Sequence, residues 1–182
     1  MRKTLLSVVA ATLALVLVVA AADAANVHLK GGKNAKPSFF DNGLSLSGSG
    51  SLSGLGNGDV LVTLSAEADV ISTCRNAGGN AAPGQNPAPL TVTGSVAIPA
   101  SEIKNGTTSF SVTTQAPNPV IAGAPDCPNT NWTESIDDLK FKSLTIAIEQ
   151  PPGTPVLTIT CTFSPPTSFG AVGGSNVSCT VS

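Results

Sequence analysis

The chain has 182 residues, a formal net charge of −2, and 11% charged side chains against 41% hydrophobic ones. A surface so sparsely charged and mildly acidic offers no electrostatic footprint for nucleic acid or for an anionic membrane. With one histidine, one tryptophan and no tyrosine, the chain is also poor in the side chains that most often carry catalysis.

Arg2 and Lys3 open the chain, residues 5–22 are almost wholly apolar, and Ala22-Asp23-Ala24 follows as a small-residue cleavage pattern. This predicts a signal peptide over 1–24 rather than a membrane anchor, although the apolar run approaches spanning length. One domain over 25–182 remains, within the size range of a single hydrophobic core. Without Arg2, Lys3 and Asp23 it keeps 7 basic and 10 acidic residues, a net charge near −3. The expectation is a protein exported from the cytoplasm (extracellular, or periplasmic where the host has an outer membrane), with no membrane insertion after signal removal. The four cysteines, Cys74, Cys127, Cys161 and Cys179, form no C-x-x-C pair and have no histidine at zinc-ligand spacing. An even count in an exported chain reads as two disulfides.

In chain order, Asn26–Phe40 is a mixed lead-in with a short edge strand expected at Val27–Leu29. Its His28 reads as an ordinary surface residue. Asp41-Asn42-Gly43 is a turn signal. Leu44–Ser53 alternates with period two, and Asn57-Gly58 predicts a tight hairpin pairing it antiparallel with the next strand. That strand, Val60–Thr73, has the clearest alternation in the chain: Val60, Val62, Leu64, Ala66, Ala68, Val70 and Cys74 share one parity. The loop Arg75–Pro89 leads to a strand at Leu90–Ile98. Ser101–Gly106 predicts a single helical turn closed by Gly106, and Thr107–Gln115 a further strand.

Ala116–Asn131 is a second long irregular stretch, with Trp132 directly after it. Leu139 and Phe141 then share one parity while Leu144, Ile146 and Ile148 share the other. One extra residue at Lys142-Ser143, a β-bulge, accounts for the slip. Leu157–Phe163 and Val177–Val181 are the last inward rows. About seven strands and no helix of core-forming length predict an all-β fold, a two-sheet antiparallel sandwich of immunoglobulin-like or Greek-key type.

Three disulfide connectivities are possible. Cys74 and Cys127 each open a Pro/Gly/Asn-rich loop, and Cys161 and Cys179 lie on adjacent inward rows, which favours 74–127 with 161–179. The competitor is 74–161, an inter-sheet pin, with 127–179.

Four segments, Gly54–Ser65 (GLGNGDVLVTLS), Cys74–Ala88 (CRNAGGNAAPGQNPA), Ile98–Thr107 (IPASEIKNGT) and Cys127–Thr133 (CPNTNWT), resemble a family of uncharacterised small exported bacterial all-β proteins. The resemblance implies an exported all-β domain and carries no activity, cofactor or substrate.

No serine lies in a G-x-S-x-G context and His28 is the one imidazole, so nucleophilic catalysis lacks its base. Glu67, Asp69, Glu134, Asp137 and Asp138 could supply paired carboxylates, and Asp137-Asp138 with Glu134, or Asp41-Asn42 with Asp59, could supply calcium oxygens. Exposed strand faces and turns account for all of them, so no catalytic residue, metal or cofactor is assigned. Trp132 with Asn129 and Asn131 is the candidate ligand-binding group. Its alternative role is a plug under the Ala116–Asn131 loop. The expected function is a non-enzymatic structural, adhesive or binding role toward an extracellular ligand or cell-surface component. A carbohydrate-binding module using Trp132 is the alternative, and a hydrolase of unrecognised type a distant one.

Overall fold

Period-two alternation continues to the end of the longest apolar pattern, and the chain there forms one unbroken strand, β4 (Val60–Asn76). A computed structural model describes residues 26–32 and 34–182; the expected signal peptide over 1–24 lies outside them. Before β4 come β1 (His28–Leu29), β2 (Ser38–Asp41) and β3 (Leu46–Ser53). After it come β5 (Ala81–Pro83), β6 (Leu90–Ile98), β7 (Thr107–Thr113), β8 (Val120–Ile121), β9 (Trp132–Glu149), β10 (Pro155–Phe163), β11 (Gly170–Ala171) and β12 (Val177–Val181). The seven strands expected from alternation correspond to β3, β4, β6, β7, β9, β10 and β12. The others are short pieces whose two to four residues are too few to show a period.

These strands make two antiparallel sheets, of five and seven strands, and the protein is an all-β sandwich with two disulfides. In the smaller sheet β3 pairs β1 and β2 on one side and β7 on the other. In the larger, β12, β10, β9 and β4 follow in order, and β6 and β5 pair successive parts of β4. The apolar rows meet between the sheets: Leu46, Leu52, Leu64, Phe141, Ile146, Ile148 and Ile159 are fully buried. Phe39 of β2 and Phe163 of β10 meet edge to face across the gap, with ring centroids 5.4 Å apart. The sandwich closes along one side where the chain leaving β7 crosses β6. Gln115 N–H donates to Thr93 C=O at 2.8 Å. A Cβ on Gly94 would lie 2.0 Å from the Thr113 carbonyl oxygen, so the crossing requires glycine.

The expected hairpin at Asn57-Gly58 does not form. β3 and β4 belong to different sheets, and residues 54–59 carry the chain across between them. Buried Gln150 holds this crossing: its Oε1 accepts from Gly56 N–H at 2.8 Å, and its Nε2 donates to the carbonyls of Gly56 and Gly58. The carboxamide satisfies three backbone groups that a two-residue hairpin would have left to the ladder.

The parity slip in β9 is a bulge. Glu67 faces Ser143 while Ala68 faces Phe141, leaving Lys142 as the extra residue. Lys142 turns outward to Asp69 at 2.8 Å and Glu67 at 3.6 Å. A second slip, between Ile71 and Ser72 opposite Asp138 and Ile136, restores the original parity.

The outer face of the larger sheet is carpeted with hydroxyls. One cross-strand row reads Thr93, Ser65, Thr145, Thr160, Thr180, and the next Thr91, Glu67, Ser143, Thr162, Ser178. These β-branched and small side chains suit a solvated pleated face and explain how a sheet this wide has so few charges.

Candidate functional site

β4 and β9 are longer than the sheet that flanks them. β6 pairs β4 only as far as Ala68, and β10 pairs β9 only from Ser143 onward. Beyond those points the two strands continue as a ribbon, Asp69–Asn76 opposite Trp132–Lys140, flanked by the short β5 and β8. One face of this ribbon bears Val70, Ser72, Cys74, Glu134, Ile136 and Leu139, all buried. Two loop stretches, residues 77–89 with β5 in it and 116–131 with β8 in it, cover it.

Four contacts fasten these loops to the ribbon and to each other. The Cys74–Cys127 disulfide ties the second loop to β4, with Cα atoms 5.6 Å apart. Gln85 N–H donates to Asp126 C=O at 3.0 Å, joining loop to loop, and Gly84 N–H donates to Ser72 C=O at 2.9 Å. Glu134, fully buried, is the polar centre. Its Oε1 accepts from Ser72 Oγ at 2.7 Å and its Oε2 from Asp126 N–H at 3.3 Å. A buried carboxyl group is costly unless hydrogen-bonded, and here each oxygen has a donor. Gly84 lies directly over the pair: a Cβ there would come 2.0 Å from Ser72 Oγ and 3.1 Å from Glu134 Oε1.

Between the fastened loops lies an apolar groove of about 240 Å³, lined by Val70, Pro87–Leu90, Ile121, Pro125, Asp126 and Ile136. Two of its walls are proline-rich loop backbone with few free N–H groups. Ligand pockets for whole cofactors or drug-sized molecules run from about 300 to 1,000 Å³. The groove therefore suits an apolar side chain or a short aliphatic group.

The disulfides are Cys74–Cys127 and Cys161–Cys179, the favoured pairing. Trp132 is half-buried at the start of β9, opposite Asn76 in register. Asn129 and Asn131 are exposed beside it, and Asn129 Oδ1 accepts from Asn131 N–H at 3.0 Å to close the turn that precedes Trp132. The three candidate residues thus come together at the tip of the ribbon, but Trp132 is not among the side chains lining the groove.

Glu134 is not the exposed strand-face residue expected: it is buried under Gly84. The candidate calcium groups are separately engaged. Asp59 Oδ1 accepts from Ala100 N–H, and Asp41 accepts from Gly43 N–H and the Thr167 hydroxyl. Asp137 accepts from the Thr73 hydroxyl. His28 is exposed, with Nδ1 2.7 Å from Asn26 C=O.

The groove and the Glu134 centre are not visible in the sequence pattern, because the alternation of β9 becomes apolar and regular only from Leu139. With residues 132–138 assigned to the strand, Trp132, Glu134 and Ile136 share a parity, the one signal that places Glu134 inward.

Comparison with protein-family models, with curated proteins and with solved structures finds no match to the chain.

Proposed function

We propose that this is an exported, non-enzymatic β-sandwich with a binding or adhesive role at the cell exterior, and that it binds through the loop-capped end of the β4–β9 ribbon. The observation that carries the reading is the apolar groove beside the Cys74–Cys127 clamp. Loops that carry binding surfaces are those a rigid scaffold positions, and here a disulfide and a buried carboxyl group do the positioning. The ligand is an apolar side chain or short aliphatic group presented by a cell-surface component. The few nearby charges and the small volume favour a knob entering a hole over a soluble charged substrate.

Ligand-observed NMR with short aliphatic and prolyl probes tests this. Binding lost in Ile121→Glu, which sets a charge against the groove wall, is the expected result. Binding unaffected by that substitution, or no binding of any probe, rejects the groove. A glycan array read with Trp132→Ala as control decides the carbohydrate reading, for which the exposed Asn129 and Asn131 beside Trp132 are the favouring observation.

A further inference from the structure

The chain has six phenylalanines. Phe39, Phe110, Phe141 and Phe163 are buried in the core, while Phe40 and Phe169 stand at the surface, 43% and 75% exposed. Those two lie against each other, with ring centroids 6.3 Å apart and planes at 75°. Single exposed apolar side chains are ordinary, but here both phenylalanines that the core does not use are brought to one corner.

Buried polar groups build that corner. Phe40 is carried by β2, which ends at Asp41, and Phe169 lies in the loop between β10 and β11. Thr167 Oγ1 donates to Asp41 Oδ2 and accepts from Phe141 N–H, and Thr167 N–H donates to Phe141 C=O at 2.9 Å. Leu139 N–H donates to Gly43 C=O at 3.0 Å, which seats the turn after β2 on β9. The Phe169 loop, β2 and β9 are thus fixed to one another, the kind of rigid support on which binding loops are carried.

The same seating brings Asp138 of β9 to the corner. A point one Cβ bond out from Gly43 lies 3.8 Å from Asp138 Oδ1 and 4.0 Å from Phe169 Cδ2. The carboxylate and the ring therefore flank one spot that the glycine leaves uncovered. Asp138 is half-buried, and among the described residues its carboxylate has no hydrogen-bond or ion-pair partner. Asp137 beside it accepts from the Thr73 hydroxyl, and both ion pairs belong to Lys142. The Asp41 carboxyl is close enough to feel the Asp138 charge and is of the same sign.

A lone carboxylate beside two aromatic rings suits a cation, because ring faces carry the negative end of the quadrupole. The kind of cation follows from the donors and acceptors present. Calcium takes about six to eight oxygen ligands, and a primary ammonium brings three N–H donors that each want an acceptor. One carboxylate between hydrocarbon rings meets neither demand. A quaternary ammonium has no N–H group, and aromatic walls are how such groups are recognised. We propose that Phe40, Phe169 and Asp138 form a second binding site, apart from the groove, and that its ligand is a quaternary ammonium group of the choline type.

Choline chloride, titrated at constant ionic strength into the isotope-labelled, oxidised protein, tests this through amide NMR shifts. The expected result is saturable shifts confined to residues 40–43, 138 and 167–170, with Kd on the order of millimolar. Phe169→Ala changes an exposed side chain, leaves the core alone, and should weaken binding by about two- to fivefold. Asp138→Asn should weaken it at least as much. Dimethylbutanol, which has carbon in place of the charged nitrogen, should bind less tightly than choline. Co-sedimentation with phosphatidylcholine vesicles separates two sources of the same group. Vesicle binding that Phe169→Ala abolishes marks a lipid head group, and choline binding without vesicle binding marks a free ligand; each supports the site. The proposal is overturned if choline shifts nothing at tens of millimolar, if the shifts lie elsewhere, or if both variants bind as wild type does. Binding of dimethylbutanol or of a methyl glucoside as tightly as choline overturns it too, because the site would then select an apolar or a sugar surface and not a cation.

Discussion

Ser72 and Glu134, on neighbouring strands and 62 residues apart in sequence, share a buried hydrogen bond of 2.7 Å, and the end of the molecule that carries both long loops is built on it. Remove Glu134 and both the buried Ser72 Oγ and the part-buried Asp126 N–H lose their acceptor. Glu134→Ala should therefore lower stability by about 2–4 kcal/mol, from unsatisfied donors and the space left behind. Glu134→Gln should cost less, because one oxygen is kept while the amide nitrogen must face a donor. Urea titrations of both variants measure the difference. An alanine variant as stable as wild type would mean that Glu134 is not held as described.

Gly84 gives a sharper test of the same centre. Its missing Cβ would sit 2.0 Å from Ser72 Oγ, so Gly84→Ala must displace the loop or the serine and should cost about 1–3 kcal/mol, as overpacking does. Ser72→Ala alone removes a donor to Glu134 and should also destabilise. The two together should cost less than the sum, because the atom that the new methyl strikes is gone. A double-mutant cycle measures this coupling; strict additivity would place Gly84 elsewhere than over Ser72.

Removing either disulfide should destabilise, and unequally. The ring closed by Cys74–Cys127 spans 53 residues and that by Cys161–Cys179 spans 18. In the loop-entropy account these constrain the unfolded chain by about 4 and about 3 kcal/mol. For a domain of this size the corresponding falls in Tm are about 8–16 °C and about 6–12 °C. Calorimetry of Cys74→Ala/Cys127→Ala and of Cys161→Ala/Cys179→Ala checks the order. The first pair should in addition speed amide exchange in residues 77–89 and 116–131, since it also fastens the groove walls. The second should leave those loops unchanged.

How far the sequence showed these features in advance depended on the length of each repeating pattern. β4 is legible because eight inward positions recur at every second residue from Val60 to Cys74, all of them apolar except Ser72. The bulge at Lys142 was legible because apolar residues stand on both sides of it. The second slip, near Asp137, was not: the inward residues beyond it are Ile136 and then a carboxyl group, and a buried glutamate looks like a solvent-facing one until its partners are in place. Asn57-Gly58 misled for a related reason. Its local turn preference is real, but it is outweighed by Gln150, 92 residues away from Gly58 in sequence, whose side chain supplies the crossing with the hydrogen bonds that a hairpin would have supplied. Cysteine pairing was readable because both pairs are local to one edge or one loop mouth. The groove was not, since its walls come from four separate stretches with no shared period.

Asp41 should give the protein a pH-dependent stability. It is fully buried; Oδ1 accepts from Gly43 N–H at 2.8 Å and Oδ2 from Thr167 Oγ1 at 2.5 Å, while Thr167 Oγ1 accepts in turn from Phe141 N–H. Burial pushes its carboxyl above the ordinary aspartate range. The bonds from Thr167 and Gly43 oppose that shift, and the nearby Asp138 carboxylate adds to it. A group whose pKa is higher folded than unfolded binds its proton more tightly in the native state. Its contribution is therefore favourable at low pH, complete once pH falls below the unfolded value of about 3.9, and lost as pH rises through the folded value. Asp41→Asn has no proton to bind and lacks this contribution. The stability of wild type relative to Asp41→Asn should thus increase as pH falls from 7 toward 4.5, as measured by urea midpoints for the two proteins at each pH. If the two curves stay parallel, or converge in the opposite sense, the Asp41 carboxyl is not held in the dry, Thr167-bonded setting that makes protonation favourable in the fold.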